Sequence, residues 1–251
     1  MKLLRSGNPS LSEKTFERRP QDELIMGETM SLNGTINKAG ILLVLMLVPA
    51  YYAMQLVANG PVFESAFGYV IGGSLAGFVL ALIITFKKNI APILAPLYAV
   101  LQGLVVGFIS GIYNYQFDGI VLQAIGLTAC IFLSVLLLYR FQILQATEKF
   151  KFIVGAATMG IMLYYLVSII GRFVGFTLPL IHDSGTFGIV FSVAVVAIAA
   201  LNLVMDFDVI DKGIEAQAPK YMEWYASFGL LVTLIWLYLE ILRLLSKLRR
   251  D

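Results

Sequence analysis

The chain predicts an all-α membrane protein, a bundle of seven transmembrane helices. Three observations carry this reading. Of the 251 residues, 59% are hydrophobic, and the mean hydropathy is +0.85. The apolar residues gather in seven stretches, each near the roughly 20 residues that a helix needs to cross the hydrocarbon. These stretches are continuous, whereas a transmembrane barrel shows short strands of alternating hydrophobicity.

The elements follow in order. Residues 1–38 lack a sustained apolar region and are rich in charge, so they read as a cytoplasmic tail and not as a cleavable signal peptide. A weak capping-box match at Ser10-Leu11-Ser12-Glu13 opens a short helix within it. The transmembrane domain, residues 39–245, begins with Ala39–Ala58, which contains Pro49, and continues with Ala66–Phe86. The latter pairs Gly68 with Gly72 and Gly73 with Gly77 at a spacing of four. The third stretch, Ala91–Ile112, has Pro92 at its start, where proline is tolerated, and Pro96 inside it, where it removes a backbone donor. Gly103, Gly107 and Gly111 line one face of that stretch and let another helix approach closely. A glycine-lined permeation surface is the other use of such a face. Gly119–Tyr139 holds the single cysteine, Cys130, expected to be a small buried apolar residue. Phe152–Gly171, Thr186–Met205 and Tyr225–Leu245 complete the seven, and residues 246–251 form a basic tail.

The net charge of +2 says little, but the placement of Lys and Arg orients the bundle. With the N-terminus in the cytoplasm, alternation puts 13 positive residues inside and five outside. Four of those five are Arg243, Lys247, Arg249 and Arg250, at the C-terminus. Seven full crossings place that tail outside; a re-entrant last segment, or one non-spanning hairpin among the seven, places it inside.

The motifs exclude more than they include. His182 is the only histidine and falls in a connection, so H-E-x-x-H zinc chemistry has no basis. One cysteine excludes an internal disulfide and any CxxC site. No nucleophile has an adjacent base, and nothing beyond the acids themselves supports an intramembrane aspartyl protease. No enzyme activity, cofactor or nucleic-acid partner is expected.

The acids are different. Glu240 lies inside the seventh stretch, in Trp236-Leu237-Tyr238-Leu239-Glu240-Ile241-Leu242-Arg243. A carboxylate at that depth costs roughly 2.5–3.5 kcal/mol on insertion scales, so it faces the bundle interior and a partner. One candidate is Arg243, three residues on, an ion pair that satisfies the charge without transport. The other is the acid cluster after the sixth stretch: Asp206, Asp208 and Asp211. Helical spacing offers two polar faces there, Asn202/Asp206 and Asp208/Asp211, and leaves both open. Two carboxyl groups in a low-dielectric site do not easily both ionise, so such a pair shares a proton and titrates in coupled steps. A deprotonated pair suits a bridging Ca²⁺. Because that ion takes about six to eight oxygens, two side chains hold it only weakly and transiently.

The order of these features resembles the Bax inhibitor-1 family. The residues that carry the resemblance are the Phe207-Asp208 acid ending the sixth helix, the polar connection, and Leu237-Tyr238-Leu239-Glu240-Ile241 in the seventh. The aromatic, glycine-rich segment from Tyr98 to Ser110 adds to them. Gly7-Asn8-Pro9-Ser10-Leu11 and the approach from Met30 to Lys38 are similar to a bacterial, YccA-like branch, which implies the inner membrane. The resemblance covers essentially the whole chain. It implies a seven-helix bundle with the last helix central and a pH-dependent Ca²⁺ leak. It also implies that Asp208 and Glu240 form the proton-sensitive gate, with Asp206, Asp211 and Arg243 as neighbours. The chain departs from the family pattern in having Glu240 for the usual Asp, Gln102 for a third-helix Glu, and no arginine within the second stretch. Two functions are therefore expected. One is a pH-sensitive cation leak in contact with the bilayer lipid. The alternative is a non-conducting regulator that binds another membrane protein, such as a quality-control protease, for which the long charged N-terminal tail speaks.

Overall fold

The structure, a computed structural model, describes residues 29–58, 63–175 and 185–250, and the side chains of all of these except 63–65 and 172–174. It holds α1 (Leu32–Ala58), α2 (Phe63–Phe86), α3 (Ala91–Gln116), α4 (Ile120–Arg140), α5 (Glu148–Val174), α6 (Thr186–Glu215) and α7 (Met222–Leu248). All seven are long and apolar enough to cross a membrane. The described residues contain no strand, only an isolated antiparallel bridge between Thr29 and Pro219. The expected helix at Ser10–Glu13, the Gly7–Leu11 segment and His182 lie outside the described residues.

Local chemistry sets the helix ends. Pro92 occupies the first turn of α3, where its missing N–H costs nothing. Thr147 caps α5 by accepting from the Phe150 N–H at 3.3 Å, and Glu148 in the first turn complements the helix dipole. α6 runs ten residues past Met205, where its apolar stretch stops, so Asp206, Asp208 and Asp211 lie on the helix and not beyond its end. No proline interrupts Asp206–Glu215, and the helix stops only where Gln217 turns left-handed at φ 51°. The Gln217 N–H then reaches the Ile214 carbonyl at 2.9 Å and the Ala218 N–H reaches Gly213 at 3.0 Å, the paired closure of a Schellman end.

α7 is the most buried of the seven helices and packs against α1, α3, α4 and α6. Phe228, Leu237, Ile241 and Leu242 are among its fully buried side chains. α1 and α3 run parallel to α7: Ser31 and Thr35 meet the start of α7, and Ser110 meets Tyr238 at 2.7 Å. α6 is antiparallel, since buried Lys247 near the end of α7 donates to the Gly188 carbonyl near the start of α6 at 2.9 Å. The outer faces stay apolar, with Ile71, Phe78 and Leu122 exposed, because lipid is as good a solvent for them as the core. Cys130 was expected in the interior and is instead exposed on this outer face of α4, where a small apolar side chain is equally well accommodated.

α7 continues unbroken to Leu248, which excludes a re-entrant last segment within the described residues. Arg249 then donates to the Asp118 carbonyl at 2.6 Å and to Gln123 Oε1 at 2.9 Å. The basic tail thus sits with the α3–α4 connection, at the end of the bundle opposite the start of α1.

α1 and α3 make the closest helix pair. A Cβ at Gly103 or Gly107 would collide with the backbone carbonyls of Met46 and Ala50, and one at Gly111 would press on Val57. Backbones at that distance cannot give way as a side-chain tip does. Gly107→Val should therefore lower unfolding stability in detergent by about 3 kcal/mol, the upper end of overpacking costs. Gly72→Ala, whose added Cβ meets nothing within 4 Å, should change it by less than about 1 kcal/mol. Denaturant titration of the two variants checks the contrast.

Candidate functional site

Three clusters of charged and polar side chains surround acids of α6 and α7. The first surrounds Glu240, which is 1% exposed on α7. Arg243, one turn on, donates through Nη1 to both carboxylate oxygens at 2.8 and 2.7 Å. The Tyr165 hydroxyl of α5 donates to the same oxygens at 2.9 and 3.0 Å, and Trp236 Nε1 adds a contact at 3.2 Å. Arg243 also donates to the Tyr165 oxygen at 2.6 Å, and its guanidinium lies 5.1 Å from that ring's centroid. An ion pair, a phenol and an indole thus meet the desolvation demand of one carboxylate.

The second cluster surrounds Asp208 on α6. Lys151 of α5, itself buried, pairs with it at 2.7 Å, and Lys212 one turn along α6 pairs at 3.0 Å. Asp211, on the same side of α6 as Asp208, accepts from the Tyr139 hydroxyl of α4 at 2.7 Å. Asp206 is fully buried, four residues after Asn202.

Between these two clusters the Asn202 amide donates to Thr158 Oγ1 at 2.8 Å. Lys151, Thr158 and Tyr165 are spaced by seven on α5, so two helical turns return each to the same face. That face carries a polar seam between α5 on one side and α6 and α7 on the other. It runs from Asp208–Lys151 through Asn202–Thr158 to Glu240–Tyr165–Arg243. Buried Ser168 follows one turn later on α5. Lys151 to Tyr165 spans about 21 Å at the helical rise, against a hydrocarbon core of about 30 Å.

This geometry corrects the expected carboxyl pair. Glu240 and Asp208 both touch α5, but fourteen residues apart, so about 20 Å of helix separates them. Asp206 is offset from Glu240 by about 16 Å along the antiparallel α6–α7 pair, counted from Gly188 opposite Lys247. The joint Ca²⁺ coordination expected of Asp208 and Glu240 needs them to meet, and they do not. Among the described residues no group of three or more His, Cys, Asp or Glu could hold a metal ion. Asp208 and Glu240 instead each have basic partners of their own, and for Glu240 the partner is the neighbour three residues along.

The third cluster escaped sequence reasoning. Glu223, in the first turn of α7, is fully buried. It accepts from the Ser31 N–H at 2.8 Å, from Ser31 Oγ at 2.9 Å and from Lys38 Nζ, with Lys220 Nζ at 3.4 Å. Lys38 also lies over the Trp224 ring at 5.7 Å. Gly34 makes room for the carboxylate, since a Cβ there would overlap it. Ser227 Oγ adds a bond to the Thr35 carbonyl at 2.9 Å. Glu223 thus ties the lead-in to α1 onto the central helix. An acid two residues before an apolar stretch reads as connection; only the helix beginning at Met222 places it inside. Tyr165 and Thr158 were missed as well, although their spacing from Lys151 was a usable signal.

Against known proteins, a family model described as Bax inhibitor 1 like matches residues 8–250. No curated protein and no solved structure matches the chain.

The Glu223 cluster yields a double-mutant test. Lys38→Met leaves a buried carboxylate short of its main cation and should cost about 3 kcal/mol of unfolding stability. Adding Glu223→Gln removes the orphaned charge and should recover part of that loss, measured by chemical denaturation of all four members of the cycle.

Proposed function

We propose that this protein, which belongs to the Bax inhibitor 1 like family, is a pH-sensitive cation leak whose path is the polar seam between α5, α6 and α7. The seam is the observation that carries the reading. An apolar interface would serve packing alone, whereas here charged and hydrogen-bonding side chains recur over about 21 Å of buried depth. Ionisable side chains at such depths are expensive and mark ion or proton pathways.

The chemistry follows from the two charged ends. Asp208 and Glu240 are the groups that attract a cation, and in this state each is latched by a resident one: Lys151 with Lys212, and Arg243. A permeating cation must displace a lysine or the arginine, so the state described is closed. Protonating Glu240 removes its charge, releases Arg243 and frees the α5–α7 link through Tyr165. Ca²⁺ is the proposed cation, held weakly and in transit. The setting proposed is the inner membrane of a bacterium, with the N-terminus cytoplasmic, on the resemblance to the YccA-like branch and the distribution of Lys and Arg.

A second reading has its own observation. Because Glu223 fastens Ser31 and Lys38 to α7, whatever binds the N-terminal tail pulls on the central helix. A regulator that conducts nothing and binds another membrane protein, such as a quality-control protease, would use that link. Deleting residues before Met30 should then abolish co-purification of the partner.

Ca²⁺ flux into liposomes between pH 5 and pH 8 tests the first reading. The wild type should leak more at pH 5. Glu240→Gln and Arg243→Gln should each lose most of the pH dependence, because each removes one half of the latch. Unchanged pH dependence in Glu240→Gln would sink the seam as the gate. Folded wild-type protein with no flux above empty liposomes would shift the assignment to the regulator.

A further inference from the structure

α1 and α4 flank α7 without packing along each other, and a groove opens between them. A cavity of about 660 Å³ fills the half nearest the start of α1, and a second of about 430 Å³ continues it. Leu43, Phe132 and Leu234 line both, so the two are contiguous. On α1 the first cavity runs from Leu32 to Leu43, about 16 Å at the helical rise, which is half of a hydrocarbon core of about 30 Å. It is therefore as deep as one leaflet.

The walls are apolar except at the outer end. There Arg140, the last residue of α4, and Asp211 of α6 line the same mouth, with Gln142 beside them. Tyr139 fixes Asp211 through its 2.7 Å hydrogen bond. An acyl chain gains no hydrophobic free energy by leaving the bilayer for this groove, because lipid tails are as apolar as its leucines. Selection of an occupant must come from the mouth. An exposed cation and a hydrogen-bonded anion lining one mouth at headgroup depth complement a head that carries both charges and has an N–H to donate.

We propose that the groove is a binding site for one phosphoethanolamine phospholipid, its phosphate at Arg140, its ammonium at Asp211 and one chain along Phe132 and Leu234. A phosphoglycerol head satisfies Arg140 but places its charge beside the carboxylate. A phosphocholine head has no N–H for Asp211. The site is distinct from the α5–α6–α7 seam and does not depend on the leak reading.

Native mass spectrometry of the full chain, titrated with defined phospholipids in detergent, tests this. Phosphatidylethanolamine should be retained about tenfold more tightly than phosphatidylglycerol or phosphatidylcholine of the same chains, the scale of one charge-assisted hydrogen bond. Arg140→Gln and Asp211→Asn should each bring the three lipids to parity. Gly40→Phe, at a lining position where a new Cβ meets nothing within 4 Å, should fill the groove and abolish retention while the variant still folds. Equal retention of all three lipids by the wild type would overturn the proposal. Phosphatidylethanolamine held by Gly40→Phe as tightly as by the wild type would overturn it too, as would a second protein copy occupying the groove.

Discussion

A carboxylate inside a membrane bundle must bring its partners with it, and α7 carries two such groups. Glu223 stands in the first turn of the most buried helix and Glu240 about two turns short of its end. Each has recruited what lies within reach: Ser31 just before α1 and Lys38 within it for Glu223, Tyr165 from α5 and Arg243 for Glu240. Hydrophobic burial does not hold transmembrane helices together, since lipid solvates them as well as each other. Polar bonds and close backbone contact do. The α1–α3 glycine seam supplies the second of these, and the two glutamates supply the first.

Because those bonds are discrete, the bundle has identifiable joints. α5 is the clearest case. Of the other six helices it packs chiefly on α6, and its reach to α7 is the Tyr165 hydroxyl. Its Lys151, Thr158 and Tyr165 present one polar face to Asp208, Asn202 and Glu240. A helix held this way can be released by a change of charge at one or two side chains. Release of the α1–α3 pair would instead mean separating interlocked backbones. The fold thus combines an interlocked part, α1 with α3 and α7, and a helix, α5, joined to its neighbours by polar bonds together with the Tyr164–Phe191 ring contact.

The expectation of a carboxyl pair failed for a definable reason. Asp208 and Glu240 are both acids on packed helices, and their order along the chain is compatible with contact. Contact also requires equal depth, which depends on how far α6 and α7 extend beyond their apolar cores. α6 continues ten residues past Met205. That length puts Asp208 near one end of the bundle while Glu240 lies toward the other. The local alternative, an i,i+3 ion pair with Arg243, needed no knowledge of depth and is what the structure holds.

Seven spans, the close glycine face of α3 and a buried acid in α7 are legible from the residues alone. All three are local properties: hydropathy along about 20 residues, spacing of four on one helix, and charge within an apolar run. Which partners from other helices reach these acids follows from the tertiary structure. It chose Lys151 for Asp208, Tyr165 for Glu240 and Lys38 for Glu223, and it opened the groove between α1 and α4. Those choices rest on axial register and on which helices become neighbours, and neither quantity is encoded in any single stretch of the chain.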